Sequence, residues 1–240
     1  MAEIRWHEAI NKVEPCIFRI FTPGGSGSGY LISASETTGI VAIATALHVI
    51  EHANIWDEPI RVQHYQSGKI FLLKPEERAI HIDTNQDTAV IIFEVSEFDI
   101  PNQIPNLFEP EKILKRGVEV GWLGFPAVSA GALCFFSGRV SAQIENETAY
   151  LVDGVAINGV SGGPALWLGY DDFNYIGVVS AYIPNRSTGE VLPGLSVIQD
   201  VSQFHDITNR IRSIDEAKRN EEIIVPEETE SEAGIPDDSK

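Results

Sequence analysis

The chain has 240 residues, 17 of them basic and 35 acidic, for a formal charge of −18, with 43% hydrophobic and 22% charged side chains. That length buries a substantial core, as one large β domain or two lobes, and the apolar share is ordinary for a soluble globular protein. A balance this negative argues against nucleic acid and anionic lipid as the main partners, because both would be repelled.

The opening residues, M-A-E-I-R-W-H-E, show neither an apolar leader core nor a small-residue cleavage site, so no secretory signal is expected. Helical apolar spacing runs from Ile4 to Val13 and ends before Pro15, since the residue preceding a proline disfavours helix. Beyond it come short apolar stretches split by turn signals. Strands are predicted over Cys16–Phe21, Tyr30–Ser33, Gly39–Ala44, Ile60–Val62, Ile70–Leu73 and Thr88–Phe93. A second set follows over Val118–Leu123, Cys134–Ser141, Ala149–Val152, Ala165–Leu168, Ile176–Ala181 and Leu195–Ile198. Many short strands with few long helical stretches between them predict an all-β sandwich or barrel. Helical spacing returns near the end, through Phe204, Ile207, Ile211 and Ile214.

This divides the chain into a helical segment at 1–15, a first β unit at 16–96 and a second at 115–202. A three-proline connector at 97–114 joins the two units, and a C-terminal helix is expected at 203–222. From Asn220 onward there are eight acids and one basic residue, Lys240, with no aromatic, so 223–240 is expected to be a solvated, disordered tail. No apolar run reaches the roughly 18 residues that cross a bilayer. Cys16 and Cys134 are too few for a disulfide framework, lack metal-type spacing and sit among apolar neighbours. A reducing cytoplasm is the expected location, with no cofactor and no metal.

Two β units joined by a crossover form a natural cleft. Serine-based nucleophilic catalysis needs a hydroxyl, a base, an acid that fixes the base's tautomer, and donors facing the oxygen that becomes negative. The base candidate is His48, delivered at the end of the apolar run V-A-I-A-T-A-L. The acid candidate is Asp87, immediately before the apolar strand T-A-V-I-I-F, with Asp83 as the next choice. The nucleophile candidate is Ser161 in G-V-S-G-G-P, where Gly159 and Gly162 flank Val160-Ser161. The N–H groups of Gly159 and Ser161 are then placed to converge as an oxyanion hole. The chain order His, Asp, Ser is that of the chymotrypsin-like fold, not of subtilisin or α/β-hydrolases.

On the stretches I-N-K-V-E-P-C-I-F-R-I, G-S-G-S-G-Y-L-I, A-T-A-L-H-V-I, D-T-A-V-I-I-F-E-V, G-W-L-G-F-P, S-G-R-V-S-A, D-G-V-A-I-N-G-V-S-G-G-P-A-L and G-V-V-S-A-Y the chain resembles trypsin-like serine proteases. Within them it is most similar to the catalytic domain of HtrA/Deg proteases, without the PDZ domain. The resemblance implies two six-stranded antiparallel β-barrels of chymotrypsin type, with a short N-terminal helix and a C-terminal helix. It implies an endopeptidase in which His48 is general base, Asp87 its orienting carboxylate and Ser161 the nucleophile, acting through an acyl-enzyme. Ser180, Ala181 and Tyr182 become the edge that pairs with substrate backbone. Val155, Ala156, Tyr182 and Gly194 become the specificity pocket; none is acidic, so cleavage after small or medium apolar residues is expected. The partners implied are peptide or protein substrates and an activating protein.

Val160 departs from the pattern, standing where trypsin-like enzymes have Asp and HtrA-like enzymes usually Asn, so activation by a freed N-terminus is not expected. Two other functions fit parts of the sequence. One is a catalytically silent scaffold that binds peptides or partners. The other uses His48-Val-Ile-Glu51-His52, which matches the H-x-x-E-H metalloprotease pattern but follows a strand and runs toward Pro59 with little room for a long helix.

Overall fold

Helix α1 (Trp6–Val13) lies on the second half of the molecule. It buries Ala9 and Val13, and the Trp6 indole donates to Glu119 at 2.9 Å while resting on Phe135. The computed structural model describes residues 5–96, 101, 103–129, 131–144, 148–169, 172–184 and 191–224, with backbone alone for 181–184, 191–193 and 221–224.

The first sheet comprises β1 (Ile17–Thr22), β2 (Gly25–Ala34), β3 (Ile40–Ala46), β4 (Ile60–His64), β5 (Ile70–Leu73), β6 (Ala79–Asp83) and β7 (Thr88–Glu94). Its order is β5-β4-β1-β2-β3-β7-β6, and every pairing is antiparallel. Helix α2 (Leu47–Ile55) sits between β3 and β4. Phe18, Ile20, Leu31, Ile43 and Ile91 fill the inner face, as the two-residue alternation of a half-buried strand requires.

The second sheet comprises β8 (Asn106–Leu107), β9 (Glu119–Gly124), β10 (Cys134–Ile144), β11 (Ala149–Asp153), β12 (Pro164–Leu168), β13 (Phe173–Pro184) and β14 (Val191–Asp200). The order β12-β9-β10-β11-β14-β13 closes on itself through a β12–β13 ladder, and β8 adds in parallel to β13. Closure removes free edges from six of these strands.

The structure has the expected all-β double-barrel architecture with a helix toward each end. The strand inventory differs from expectation. The second unit is a closed six-stranded barrel, whereas the first is a curled half-barrel of seven strands, open between β5 and β6 among the described residues. Strands β6 and β8 and helix α2 were not expected. The tail at 225–240 lies outside the described residues. No helix is long and apolar enough to cross a membrane among the described residues.

Both halves share one core at the seam. Ile17, Tyr30, Ala44 and Val90 from the first meet Trp122, Val160, Tyr175 and Val178 from the second. Tyr30 and Tyr175 pack 4.6 Å apart, and the Tyr30 hydroxyl donates to the Gly177 carbonyl at 3.2 Å. Helix α3 (Phe204–Ile224) closes the seam with Phe204, Ile207 and Ile211. Its buried Asp215 accepts from Ser35 Oγ (2.5 Å), Thr37 Oγ1 (2.6 Å) and the N–H groups of Glu36 and Thr37, clamping the β2–β3 turn. Burial pushes the Asp215 carboxyl up, but these four donors outweigh it and hold it below the ordinary carboxylate range.

Candidate active site

Helix α2 begins after Ala46, which has no side chain able to cap it. The cap comes from 39 residues away: the Asp87 carbonyl accepts from Leu47 N–H at 3.0 Å, and Asp87 Oδ1 from His48 N–H at 2.9 Å. The other carboxylate oxygen, Oδ2, lies 2.7 Å from His48 Nδ1. An ionised carboxylate only accepts, so Nδ1 carries the proton and Nε2 of the neutral ring is the free base. Asp87 reaches this position from the turn before β7, with a left-handed φ of 47° that aspartate tolerates. Burial pushes its carboxyl up; bonds from the His48 ring, Ser180 and the His48 N–H outweigh this and hold it below the usual range. The His48 side chain is 46% exposed, so the ring stays accessible.

Ser180 connects this pair to Ser161. A bulge in β13 between Val179 and Ala181 takes Ser180 out of the ladder. Its hydroxyl donates to Asp87 Oδ2 at 2.5 Å, and its carbonyl accepts from Ser161 Oγ at 3.4 Å. No hydrogen bond joins Ser161 to His48 among the described residues. The two sides are nevertheless adjacent: a Cβ on Gly27 would meet Val49 of α2 at 2.6 Å and the Ser161 carbonyl at 2.9 Å.

The Gly159–Gly163 loop is fixed peptide by peptide. Asn158 O accepts from Ala127 N–H (2.8 Å), Gly159 O from Ser28 Oγ (2.8 Å), Val160 O from Gly163 N–H (3.0 Å) and Ser161 O from Ser28 N–H (2.8 Å). In a trans peptide the N–H points opposite to the C=O. The first and third of these bonds therefore turn the N–H groups of Gly159 and Ser161 away from Ala127 and Gly163, and neither has a partner among the described residues. Gly159 has φ 93°, and a Cβ there would lie 2.3 Å from the Phe125 carbonyl, so no other residue fits. Val160 is fully buried in the shared core, against Gly124, an anchor of about 1.5–3 kcal/mol.

Of the expected pocket residues, Val155 is 48% exposed and its carbonyl accepts from the Trp122 indole at 3.3 Å. Ala156 packs partly buried against the core. Gly194, with φ 86°, accepts from Gly154 N–H at 2.9 Å, and a Cβ there would meet open space. Ala181 and Tyr182 pair through their backbones with Val197 and Ser196; their side chains lie outside the described residues.

Asp83, the alternative carboxylate, caps its own turn through Asn85 and Gln86 N–H. At the H-x-x-E-H stretch, where little room for a long helix was expected, the nine-residue α2 carries both His48 and His52. Their Nδ1 atoms face different carboxylates, Asp87 and Glu58, and no group of three metal-ligating side chains occurs among the described residues. Sequence analysis missed the bond from Ser180 to Asp87 and any role for Ser28. Ser28 lies in the glycine-rich G-S-G-S-G stretch, where small residues around a serine signal close backbone approach.

The chain has the fold of trypsin-like serine proteases. It is similar to the crystal structure of the serine endoprotease from Yersinia pestis, with TM-score 0.62 and 18% identity over 88% of this chain and 68% of that one. It is also similar to an inactive serine-to-alanine mutant of Rv3671c from M. tuberculosis, with TM-score 0.58 and 17% identity over 89% of this chain and 96% of that one. No family model and no curated protein matches the chain.

Proposed function

We propose that the protein is a serine endopeptidase. The observation that carries this is the continuous chain from His48 through Asp87 and Ser180 to Ser161, beside two N–H groups, of Gly159 and Ser161, without a partner among the described residues. Rotation of Ser161 about χ1 brings Oγ from the Ser180 carbonyl to His48 Nε2, which takes its proton as Oγ attacks the peptide carbonyl. The N–H groups of Gly159 and Ser161 receive the oxyanion, and His48 then gives its proton to the leaving amine. Water, deprotonated by the same imidazole, releases the acyl group from Ser161.

The substrate strand pairs with the backbone of Ser180–Tyr182. Val155, Ala156, Tyr182 and Gly194, without an acidic side chain, favour a small or medium apolar residue before the scissile bond. A protein partner switches activity by promoting the Ser161 rotation. Free Cys16 and Cys134 fit a cytoplasmic setting.

The orientation of Ser161 Oγ toward Ser180 favours a second reading, a scaffold that binds peptides without cutting them. Labelling with a fluorophosphonate decides between the two. Wild type is expected to label and Ser161→Ala not to, and a peptide library is expected to be cut after small apolar residues. Absence of labelling and cleavage, alone and with candidate partners, would establish the scaffold.

A further inference from the structure

We propose that Ser28 is the positioning residue of the oxyanion hole, holding the Gly159–Ser161 backbone from the opposite lobe. Ser28 lies on β2 with no solvent exposure. Gly27 beside it lets the strand approach the other lobe: a Cβ there would lie 2.9 Å from the Ser161 carbonyl. All the hydrogen-bonding groups of Ser28 are used. Its hydroxyl donates to Gly159 O at 2.8 Å and accepts from Phe125 N–H at 3.0 Å. Its N–H donates to Ser161 O at 2.8 Å, and its carbonyl accepts from Thr45 Oγ1 at 2.8 Å. Both residues that supply oxyanion donors are therefore gripped through their carbonyls by one residue of the other sheet.

The hydroxyl matters most at Gly159. A glycine at φ 93° has little intrinsic resistance to peptide rotation, so the restraint comes from its neighbours. Ser28 supplies it twice. It holds Gly159 O directly, and it holds Phe125 N–H, which fixes the Phe125-Pro126-Ala127 segment whose Ala127 N–H holds Asn158 O. Without the hydroxyl, the Phe125 N–H and the Gly159 carbonyl lose their shared partner, the segment that holds Asn158 O is less restrained, and rotation of the Asn158–Gly159 peptide meets less resistance.

The kinetic part of the test rests on the serine peptidase reading; the structural part does not. Ser28→Ala is expected to lower kcat 10- to 100-fold, below the roughly 10²–10³ lost with a whole donor, with KM within about twofold. Ser28→Gly leaves room for a water between Phe125 N–H and Gly159 O and is expected to recover part of the loss. Tyr30→Phe removes another bond between the same strand and the second lobe, to Gly177, and is expected to lower the melting temperature while kcat stays within twofold.

Amide hydrogen exchange in a Ser161→Ala background reads the same effect without turnover: Ser28→Ala is expected to speed exchange at Phe125 at least tenfold, selectively. If wild type neither labels nor cleaves but this exchange change appears, the positioning role stands and the peptidase reading falls. Unchanged kcat with unchanged Phe125 exchange overturns the proposal, as does an equal kcat loss in Tyr30→Phe.

Discussion

The two lobes build the site by different means. The first contributes side chains: an imidazole and a carboxylate joined at 2.7 Å and steadied by further donors. Besides the Ser161 and Ser180 hydroxyls, the second contributes main chain, a glycine loop where an added Cβ would come within 2.3 Å of backbone at Gly159, 2.1 Å at Gly162 and 1.9 Å at Gly163. The difference predicts opposite sensitivities. The first half is expected to tolerate small changes of shape but not of functional group; the glycine loop around Ser161 is expected to reject added atoms.

The largest expected effect tests the side-chain half. In Asp87→Asn the side-chain oxygen still caps α2, but the amide NH₂ faces the ring and selects the wrong tautomer. Turnover is expected to fall roughly 10⁴-fold with the circular dichroism spectrum unchanged. Near-normal turnover would move the role to another carboxylate, Asp83 first. Next comes the main-chain half. Gly159→Ala leaves every proposed triad side chain unchanged, yet is expected to cost about 10²–10³ in kcat, the value of an oxyanion donor. A kcat within threefold of wild type would show that the loop accepts the methyl and erase the contrast.

The smallest effect concerns pH. Asp87 and Asp215 are both held below the ordinary carboxylate range when folded. Their contribution is thus complete above the unfolded value, about 3.9, and lost as pH falls through the folded values. Asp215→Asn is expected to cost about 1.5–3 kcal/mol at neutral pH, as for bonds to a charged acceptor, and less in strong acid. Urea unfolding at pH 7 and pH 3 measures both; an equal loss at the two pH values would show that the clamp works through shape and not charge.

Much of this was legible because short continuous apolar runs between turn signals mark buried strands directly, as in Thr88–Glu94 and Glu119–Gly124. The triad candidates were legible through their order and the glycines around Ser161. Helix α2 was not, because its cap is the distant Asp87 and nothing at Ala46 announces a start. Strand β6 was missed because none of its residues, A-I-H-I-D, is fully buried, only Ile80 and Ile82 pack against the core, and its order comes from pairing with β7. Ser28 was quoted but given no role, since its partners lie 97 and 131 residues away. The closure of one barrel and the opening of the other are properties of long-range pairing, which no local window contains.

The double duty of Asp87 has a consequence for lineages built on this scaffold. A descendant without the proposed hydrolysis would still need that aspartate to start α2 and to anchor β13 through Ser180, so folding alone would preserve it. Ser161 carries no such obligation through its side chain, and it is the position where drift would first betray loss of the proposed activity.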